Sequence, residues 1–332
     1  MTDLEVPTVT TPSAVLEAAA RASLHAPSVF NTQPWRWRIN GDTMTLHADR
    51  SRALTATDPD GRLLLLSCGG ALHHARVSLA AAGHAATVER FCDPGDPELL
   101  ARITLTGEQP VDPAAARLAA AITRRRTDRR AYGDEPVTDA QLTAFRRLVE
   151  AEDAYLHVVR RDQMPMLAIS AELAGDAERL DPAYRQELQR WTNRPEGSGD
   201  GVPPGTAVRP APRRVPVRDY MPDGEAGLAA GSGYDAGAAY VIVFGLTDRP
   251  ADVLRGGEAM SALLLAATAD GLATSPLSDA VEVEWPRHLL RGLLAGIGEP
   301  YLAVRLGHPE TATPLPAAPR RRPSDVIEIV RP

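Results

Sequence analysis

The chain of 332 residues contains no lysine, so arginine supplies all 36 of its basic side chains. A P-loop is therefore excluded, because its lysine contacts the bound phosphates. Chemistry through a lysine Schiff base is excluded as well, as is the Ser-x-x-Lys site of penicillin-recognising enzymes. Any anion that this protein binds must be held by arginine, histidine or backbone N–H groups.

Cysteine is scarce, and segments that resemble a signal peptide or a membrane span are missing. Cys68 and Cys92 are the only cysteines and form no CxxC pair, so we expect two buried thiols rather than a disulfide framework or a zinc site. Residues 1–10 carry Asp3 and Glu5 and lack the apolar core of a signal peptide. No run reaches about 20 uninterrupted apolar residues. We therefore predict a cytoplasmic protein with no membrane partner.

The net charge and the length of the chain limit the possible partners and the number of domains. The formal net charge is -7, whereas sequence-independent nucleic-acid binding depends on basic surface, so no nucleic-acid partner is predicted. The hydrophobic share of 44% is ordinary for a globular protein. The length favours two domains or one duplicated architecture.

Apolar periodicity and turn signals predict an α+β protein. The predicted helices span residues 12–25, 63–82, 113–123, 138–150, 164–178, 182–192 and 252–270. The predicted strands span residues 35–39, 44–48, 87–91, 101–105, 155–159, 238–245 and 301–306. Residues 194–237 interrupt this pattern with seven prolines and nine glycines, a composition typical of a long loop that is either a lid or a surface excursion.

The two halves of the chain echo each other. A helix with small residues runs through Gly69 to Gly83, and another runs through Gly257 to Gly271 at the same spacing. Each leads into a short extended segment. We interpret this repeat as an ancient duplication that produced two similar α+β halves.

Residues 26–35 (APSVFNTQPW) carry the strongest local signal and lie between a predicted helix and a predicted strand. The side chains of Ser28 and Asn31 can both donate and accept hydrogen bonds, which suits the rim of a flat heterocycle. The same residue types are also typical of an ordinary turn.

Arginine is concentrated at two places, residues 124–130 and residues 320–322. Guanidinium groups supply the charge and the forked donors that a phosphate dianion needs, and Thr127 adds a hydroxyl donor. A solvated basic turn would show the same pattern.

Other chemical motifs are missing. His73 and His74 have no carboxylate at metal-ligand spacing and no HExxH motif, so we predict no metal site and expect a helix surface or a packing role. Residues 197–201 do not form GxGxxG, and no GxSxG occurs. The sequence therefore offers no dinucleotide fingerprint and no hydrolase nucleophile.

Taken together, the motifs resemble the nitroreductase superfamily. Residues 26–35 are similar to its flavin loop, and residues 125–132 are similar to its Arg-Arg-Ser-x-Arg-x-aromatic phosphate motif. The usual order of the two motifs is inverted here. That order, with residues 271–278 and 305–309, resembles the Acg family, which consists of single-chain nitroreductase homologues, and the resemblance covers nearly the whole chain.

The resemblance implies a nitroreductase-like α+β fold with two similar halves that form a pseudo-dimer in one chain. Each half would be a mixed, mostly antiparallel sheet flanked by helices. Residues 1–112 would supply the flavin-ring loop, and residues 113–332 would supply the phosphate arginines and a lid-like segment, 194–237. Because each half lacks the other's motif, one FMN per chain is implied. The chain would be a monomeric pseudo-dimer, with further dimerisation left open.

The resemblance also implies a cofactor site and no catalytic side chain, because FMN would carry the chemistry. The implied FMN-binding residues are Pro27, Ser28, Val29, Asn31, Gln33, Arg125, Thr127, Arg129, Pro276, Leu277, Ser278, Arg320, Arg321 and Arg322. Of these, Pro276, Leu277 and Ser278 would approach flavin N5. Asp128 stands where the superfamily usually has a neutral residue, so it is expected to make the site less positive.

Three functions remain open on this basis. The first is an FMN-dependent NAD(P)H oxidoreductase that passes electrons through flavin N5 to a nitroaromatic, a quinone or a related small-molecule acceptor. The second is a non-enzymatic protein that sequesters FMN beneath the lid. The third is a flavin-dependent step on a particular metabolite. Rapid consumption of NAD(P)H would separate the first from the second.

Overall fold

Helices flank two separate β-sheets in the computed structural model, which describes residues 11–195, 197–222 and 224–331. The helices are α1 (Pro12–Ser23), α2 (Arg62–Ala81), α3 (Pro113–Ile122), α4 (Asp139–Glu150), α5 (Met164–Leu180), α6 (Pro182–Thr192), α7 (Pro250–Ala269), α8 (Asp279–Glu282) and α9 (Glu284–Leu293). The strands are β1 (Trp35–Asn40), β2 (Thr43–Ala48), β3 (His84–Arg90), β4 (Leu99–Glu108), β5 (Tyr155–Val158), β6 (Ala239–Gly245), β7 (Ala273–Leu277), β8 (Glu299–Gly307) and β9 (Ile327–Ile329). Every predicted helix and strand is present, which confirms the α+β class.

Local sequence signals determine several element ends. The Thr138 hydroxyl accepts from the Gln141 backbone N–H (3.2 Å), and the Gln141 side chain accepts from the Thr138 backbone N–H (3.0 Å). This capping box satisfies two donors that a helix N-terminus otherwise leaves free, and α4 begins there. In α1, the side chain of Thr11 accepts from Ala14 N, and Pro12 occupies the first helical position.

The first sheet has the strand order β3-β4-β2-β1-β9, and the second has the order β5-β6-β8-β7. All neighbours are antiparallel except β1 and β9, which run parallel with Trp37 opposite Ile327. The end of the chain therefore joins the sheet built by its beginning. This pairing places residues 320–322, just before β9, beside the loop that leads into β1.

α2 and α7 pack against each other, α2 also contacts the first sheet, and α7 contacts the second. α2 is long and apolar enough to cross a membrane, but 78% of its apolar window is buried inside the protein, as in a core helix. His73 and His74 of α2 are both buried and lie 2.8 and 2.9 Å from the hydroxyl of Ser261 in α7. Burial lowers the pKa of His73 to about 3, so this histidine packs as a neutral side chain.

The two cysteines differ in burial. Cys68 is fully buried, as predicted, and its thiol lies 3.3 Å from the carbonyl of Pro34. Cys92 is only partly buried, so the prediction of two buried thiols is wrong for this residue. The prediction for residues 1–10 lies outside the described residues.

Candidate functional site

A cavity of about 180 Å³ lies where the loop after α1, the arginine run, segment 194–237 and the approach to β9 converge. Ten of the fourteen predicted site residues line it, and they come from distant parts of the sequence. These residues are Pro27, Ser28, Val29, Asn31, Arg125, Thr127, Arg129, Pro276, Ser278 and Arg320. The fold thus brings the predicted flavin loop and the predicted phosphate arginines to one site.

The loop before β1 has an unusual backbone. Phe30, Asn31 and Gln33 have φ angles of 49°, 55° and 51°, a left-handed region that asparagine tolerates better than most residues. The Ser28 hydroxyl accepts from the Gln33 backbone N–H (2.9 Å) and closes the loop. Asn31 Nδ2 donates to the carbonyls of Gly201 and Pro319, both at 3.0 Å. Asn31 therefore joins the loop to segment 194–237 and to the C-terminal region.

The structure does not place the other four predicted residues in the cavity lining. Gln33 Nε2 donates to Gly199 O (2.8 Å), and its Oε1 accepts from the Arg321 backbone N–H (3.0 Å). Arg321 Nη1 donates in turn to Gln33 O (3.1 Å), so these two residues support the loop from behind. Leu277 is buried and Arg322 is exposed. The sequence motif identified the loop correctly but not which of its side chains face the cavity.

Arg125 is the most buried charged group of the cavity wall, with 5% of its surface exposed. Its Nε and Nη1 have no hydrogen-bond partner among the described residues. Burial, together with the neighbouring Arg320, Arg126 and Arg129, lowers the pKa of Arg125 to about 9. The guanidinium group is thus held in a positive environment without a compensating anion.

Arg320 reaches the same cavity from the C-terminal side. Its Nη1 donates to Asn31 Oδ1 (3.1 Å), and its Nη2 donates to His25 O (3.0 Å). Burial, together with Arg126, lowers the pKa of Arg320 to about 10. Burial and the nearby arginines also lower the pKa of His25, which favours its neutral form.

Asp128 does not reduce the positive charge of the cavity, contrary to the expectation from sequence. Its carboxylate pairs with Arg130, with distances of 2.9 Å from Nε to Oδ1 and 2.8 Å from Nη2 to Oδ2. In this bidentate pair, the negative charge of Asp128 is compensated by Arg130, which does not line the cavity. The negative charge of Asp128, which superfamily members usually lack at this position, is therefore neutralised by Arg130.

Segment 194–237 forms part of the cavity wall through Gly201, Val202, Pro203, Thr206 and Tyr220. Arg129 Nη1 donates to Thr206 O (2.9 Å). The Arg129 guanidinium carbon also lies 4.3 Å from the centroid of the Tyr220 ring, within cation–π distance. The segment thus contacts a predicted cofactor-binding arginine directly.

Buried ion pairs attach the segment to the rest of the protein. Asp200 pairs with Arg52, which lies outside the segment, and within the segment it also pairs with Arg194 at 2.7 Å. Arg218 forms an ion pair with Glu282 at 2.6 Å and also lies 3.0 Å from Glu178, whose pKa is raised by burial; all three side chains are buried. Breaking one partner of such a pair is costly because the remaining charge stays buried, so these contacts hold the segment over the cavity.

Sequence reasoning missed several lining residues. Arg126 belongs to the arginine run but was not among the predicted cofactor residues, and the local pattern gave no sign that His25, Met260 or Tyr220 would join the site. These side chains meet only because α1, α7 and segment 194–237 are packed together. No spacing in the sequence indicates this.

Comparison with known proteins identifies relatives over nearly the full length. The "Putative NAD(P)H nitroreductase acg" of Mycobacterium tuberculosis is 37% identical over 318 residues, which are 95% of this chain and 96% of that protein. Another "Putative NAD(P)H nitroreductase" of that organism is 40% identical over 316 residues, 92% of this chain and 89% of that protein. The chain therefore belongs to the Acg family of nitroreductase homologues, as its motifs predicted.

Solved structures of nitroreductases are similar to a smaller degree. A nitroreductase with bound FMN from Desulfitobacterium hafniense is 15% identical, covers 65% of this chain and 98% of its own, and has a TM-score of 0.41. The FMN-dependent nitroreductase NfnB from Mycobacterium smegmatis, in complex with NADPH, is 18% identical, covers 66% and 98%, and has a TM-score of 0.40. No family model matches the chain. The family assignment rests on the full-length relatives.

Proposed function

We propose that this protein is an FMN-dependent NAD(P)H oxidoreductase of the nitroreductase type. The proposal rests on Arg125, whose buried guanidinium lies in the cavity wall and has two nitrogens without hydrogen-bond partners among the described residues. A buried charge without a counter-charge is costly. A phosphate monoester, which carries about -1.5 to -2 at neutral pH, would supply that counter-charge. The chemistry of these residues therefore fits the FMN phosphate.

In this proposal the cavity residues bind and orient the cofactor. Arg125 and Arg320 hold the phosphate, while Ser28 and Asn31 offer donors and acceptors to the ring, and Pro276 and Ser278 line the ring's reactive side. When bound, FMN would supply two-electron chemistry in ping-pong order, with NAD(P)H as the hydride donor and a nitroaromatic, quinone or related compound as the acceptor of two electrons and protons. The protein needs no acid–base pair, because the flavin carries the reaction.

We further propose that residues 1–112 and 113–332 are two halves of a pseudo-dimer with one FMN site. The loop before β1 comes from the first half and the arginine run comes from the second, and both line the same cavity. Each motif occurs once in the chain. One cofactor per chain follows.

Segment 194–237 favours FMN sequestration as a second candidate function. Its residues line the cavity, and ion pairs of Asp200 with Arg52 and of Arg218 with Glu282 hold them there. A segment fixed in this way would keep an electron acceptor away from the ring. In this alternative the protein binds FMN but does not turn over.

Anaerobic reduction of the FMN-loaded protein separates the two functions. We expect NADPH or NADH to bleach the oxidised flavin bands within seconds, and added acceptor to restore them. Bleaching by dithionite but by neither nucleotide would support sequestration instead. A wild-type protein that cannot be loaded with FMN would contradict both functions.

A further inference from the structure

The cavity wall carries an excess of positive charge. Arg125, Arg126, Arg129 and Arg320 line it, and the described lining residues include no aspartate or glutamate. None of the four forms an ion pair with a carboxylate in the described part of the chain. The excess is specific to this site, because buried arginines elsewhere do have such partners: Arg305 lies 2.6 Å from a carboxylate oxygen of Asp235.

One FMN phosphate does not neutralise four arginines. A phosphate monoester contributes about -1.5 to -2 at neutral pH, and the oxidised flavin ring is neutral. About two positive charges therefore remain in the loaded site. A partly buried cavity with uncompensated charge of one sign attracts ligands of the opposite sign.

Arg126 lies nearer the surface than Arg125, where a substrate that enters and leaves the site can reach it. It is half-buried beside the exposed Thr123, whereas Arg125 is deeply buried. Its Nη1 donates to Thr123 O (2.7 Å) and to Arg125 O (2.8 Å), which fixes the plane of the guanidinium. Its Nε has no partner among the described residues. A resident phosphate would occupy the deep arginine, and a second anion would reach this outer one.

We propose that the FMN-loaded site takes an anionic second substrate, bearing a phosphate or a carboxylate, and that Arg126 binds this anionic group. This inference rests on the function proposed above. The anion has two possible sources: the additional phosphate of NADPH on the donor side, or a carboxylate or phosphate on the electron acceptor. Both sources use the same charge-assisted hydrogen bonds from guanidinium.

The test compares matched substrates on the FMN-loaded protein at low and high salt. NADPH is compared with NADH in the reductive half-reaction, and 4-nitrobenzoate with 4-nitrobenzyl alcohol in the oxidative one. We expect the anionic member of at least one pair to be preferred roughly 10-fold or more in kcat/KM at low salt, because hydrogen bonds to charged groups are strong. Added salt should reduce that preference by screening. The pair that shows the preference identifies the source of the anion.

Two variants with the same change in net charge locate the effect. Arg126→Gln should reduce the preference roughly 10-fold and raise the dissociation constant for FMN, measured by fluorescence titration, by a smaller factor. Arg124→Gln is the control, because Arg124 is exposed, lies outside the cavity lining and donates to Thr268 O (3.1 Å). It should leave both the preference and the FMN affinity unchanged.

Each other outcome overturns a specific step. Equal kcat/KM values within both pairs and no salt dependence would overturn the anionic substrate while leaving the FMN-dependent function intact. Weaker FMN binding by Arg126→Gln, with an unchanged preference, would assign Arg126 to the cofactor phosphate and overturn its proposed role. A wild-type protein that binds no FMN would overturn the proposed function, and this inference with it.

Discussion

The backbones of Gly69 in α2 and Gly257 in α7 touch where the two helices cross. A Cβ at Gly69 would lie 2.0 Å from Leu254 O, and a Cβ at Gly257 would lie 2.1 Å from Leu66 O. Each glycine thus faces the carbonyl three residues before the other, which is a reciprocal arrangement typical of two-fold symmetry. The same two glycines mark the repeat in the sequence, so this contact supports the proposed pseudo-dimer.

Alanine at either glycine should destabilise the protein. The added Cβ would meet backbone atoms that cannot move independently, and overpacking of a core costs about 1–3 kcal/mol, more than the roughly 1 kcal/mol that alanine gains over glycine in a helix. We expect Gly69→Ala and Gly257→Ala to lower the melting temperature. Gly292→Ala in α9 is the control, since a Cβ there meets nothing within 4 Å. Unchanged melting of Gly69→Ala would contradict the close helix crossing.

Replacing Arg125 should have opposite effects on the free and the loaded protein. Arg125→Met removes a buried charge that lacks a partner, so the FMN-free protein should melt at a higher temperature. The same change removes donors to the phosphate, so FMN should bind roughly 10- to 150-fold more weakly, equivalent to about 1.5–3 kcal/mol. Thermal melting with and without FMN measures both effects. Lower stability of the free protein with unchanged FMN affinity would show that Arg125 has only a structural role.

Glu178 should make stability fall as pH rises. Burial, opposed by Arg218 and reinforced by Glu282 and Asp279, raises the pKa of Glu178 to about 9. In the unfolded chain this carboxyl titrates near 4.5, so the folded state holds the extra proton between these two values. The stabilisation that this group provides is therefore complete below about pH 4.5 and is lost as pH rises toward about 9.

Glu178→Gln imitates the protonated side chain and should flatten this dependence. The measurement is the melting temperature of the variant and the wild type between about pH 6 and about pH 8. Glu172→Gln, at an exposed position on the same helix, should keep the slope of the wild type. Parallel wild-type and Glu178→Gln curves would show that this carboxyl is ionised in the folded protein.

Loosening segment 194–237 should accelerate the release of FMN. Asp200→Asn weakens the contact with Arg52 that holds the segment beside the cavity, and also the contact with Arg194 inside the segment. We expect the FMN dissociation rate to rise roughly 10-fold, because a hydrogen bond to a charged group is worth about 1.5–3 kcal/mol. The control is Glu225→Gln in the same segment, whose pairing with Arg209 is largely exposed to solvent and adds little. An unchanged dissociation rate in Asp200→Asn would mean that the segment does not restrict the cofactor.

Local signals in the sequence predicted most of the fold. Helix α4 could be placed because Thr138 and Gln141 form a capping box, and the β1–β2 hairpin because alternating residues flank a tight turn. β9 was not predicted, since three residues form no pattern and their pairing with β1 joins opposite ends of the chain. β7 was missed because it contains Pro276. Proline is tolerated there because β7 lies at the edge of its sheet, where a missing backbone N–H matters least.

Most of the predicted site residues lie in recognisable sequence motifs, whereas site residues outside these motifs could not be predicted from the sequence. Arg125 and Asn31 stand in recognisable patterns, and both line the cavity. Tyr220 could not be assigned in this way, because its position depends on how segment 194–237 packs, and Arg126 lines the cavity although it was left out of the predicted residues of its motif. Gln33 belongs to the motif yet faces Gly199 and Arg321. A motif therefore indicates which loop forms a site but not the direction of each side chain.

The stoichiometry of FMN binding shows whether the chain contains one flavin site, as the proposed pseudo-dimer requires. Purified wild-type protein is titrated with FMN and monitored by flavin fluorescence and absorbance, with the protein concentration determined independently. We expect saturation at about one FMN per chain, because the loop before β1 and the arginine run each contribute once to one cavity. Two FMN per chain would contradict the pseudo-dimer with a single site. No binding would contradict the assignment of the cavity to a flavin.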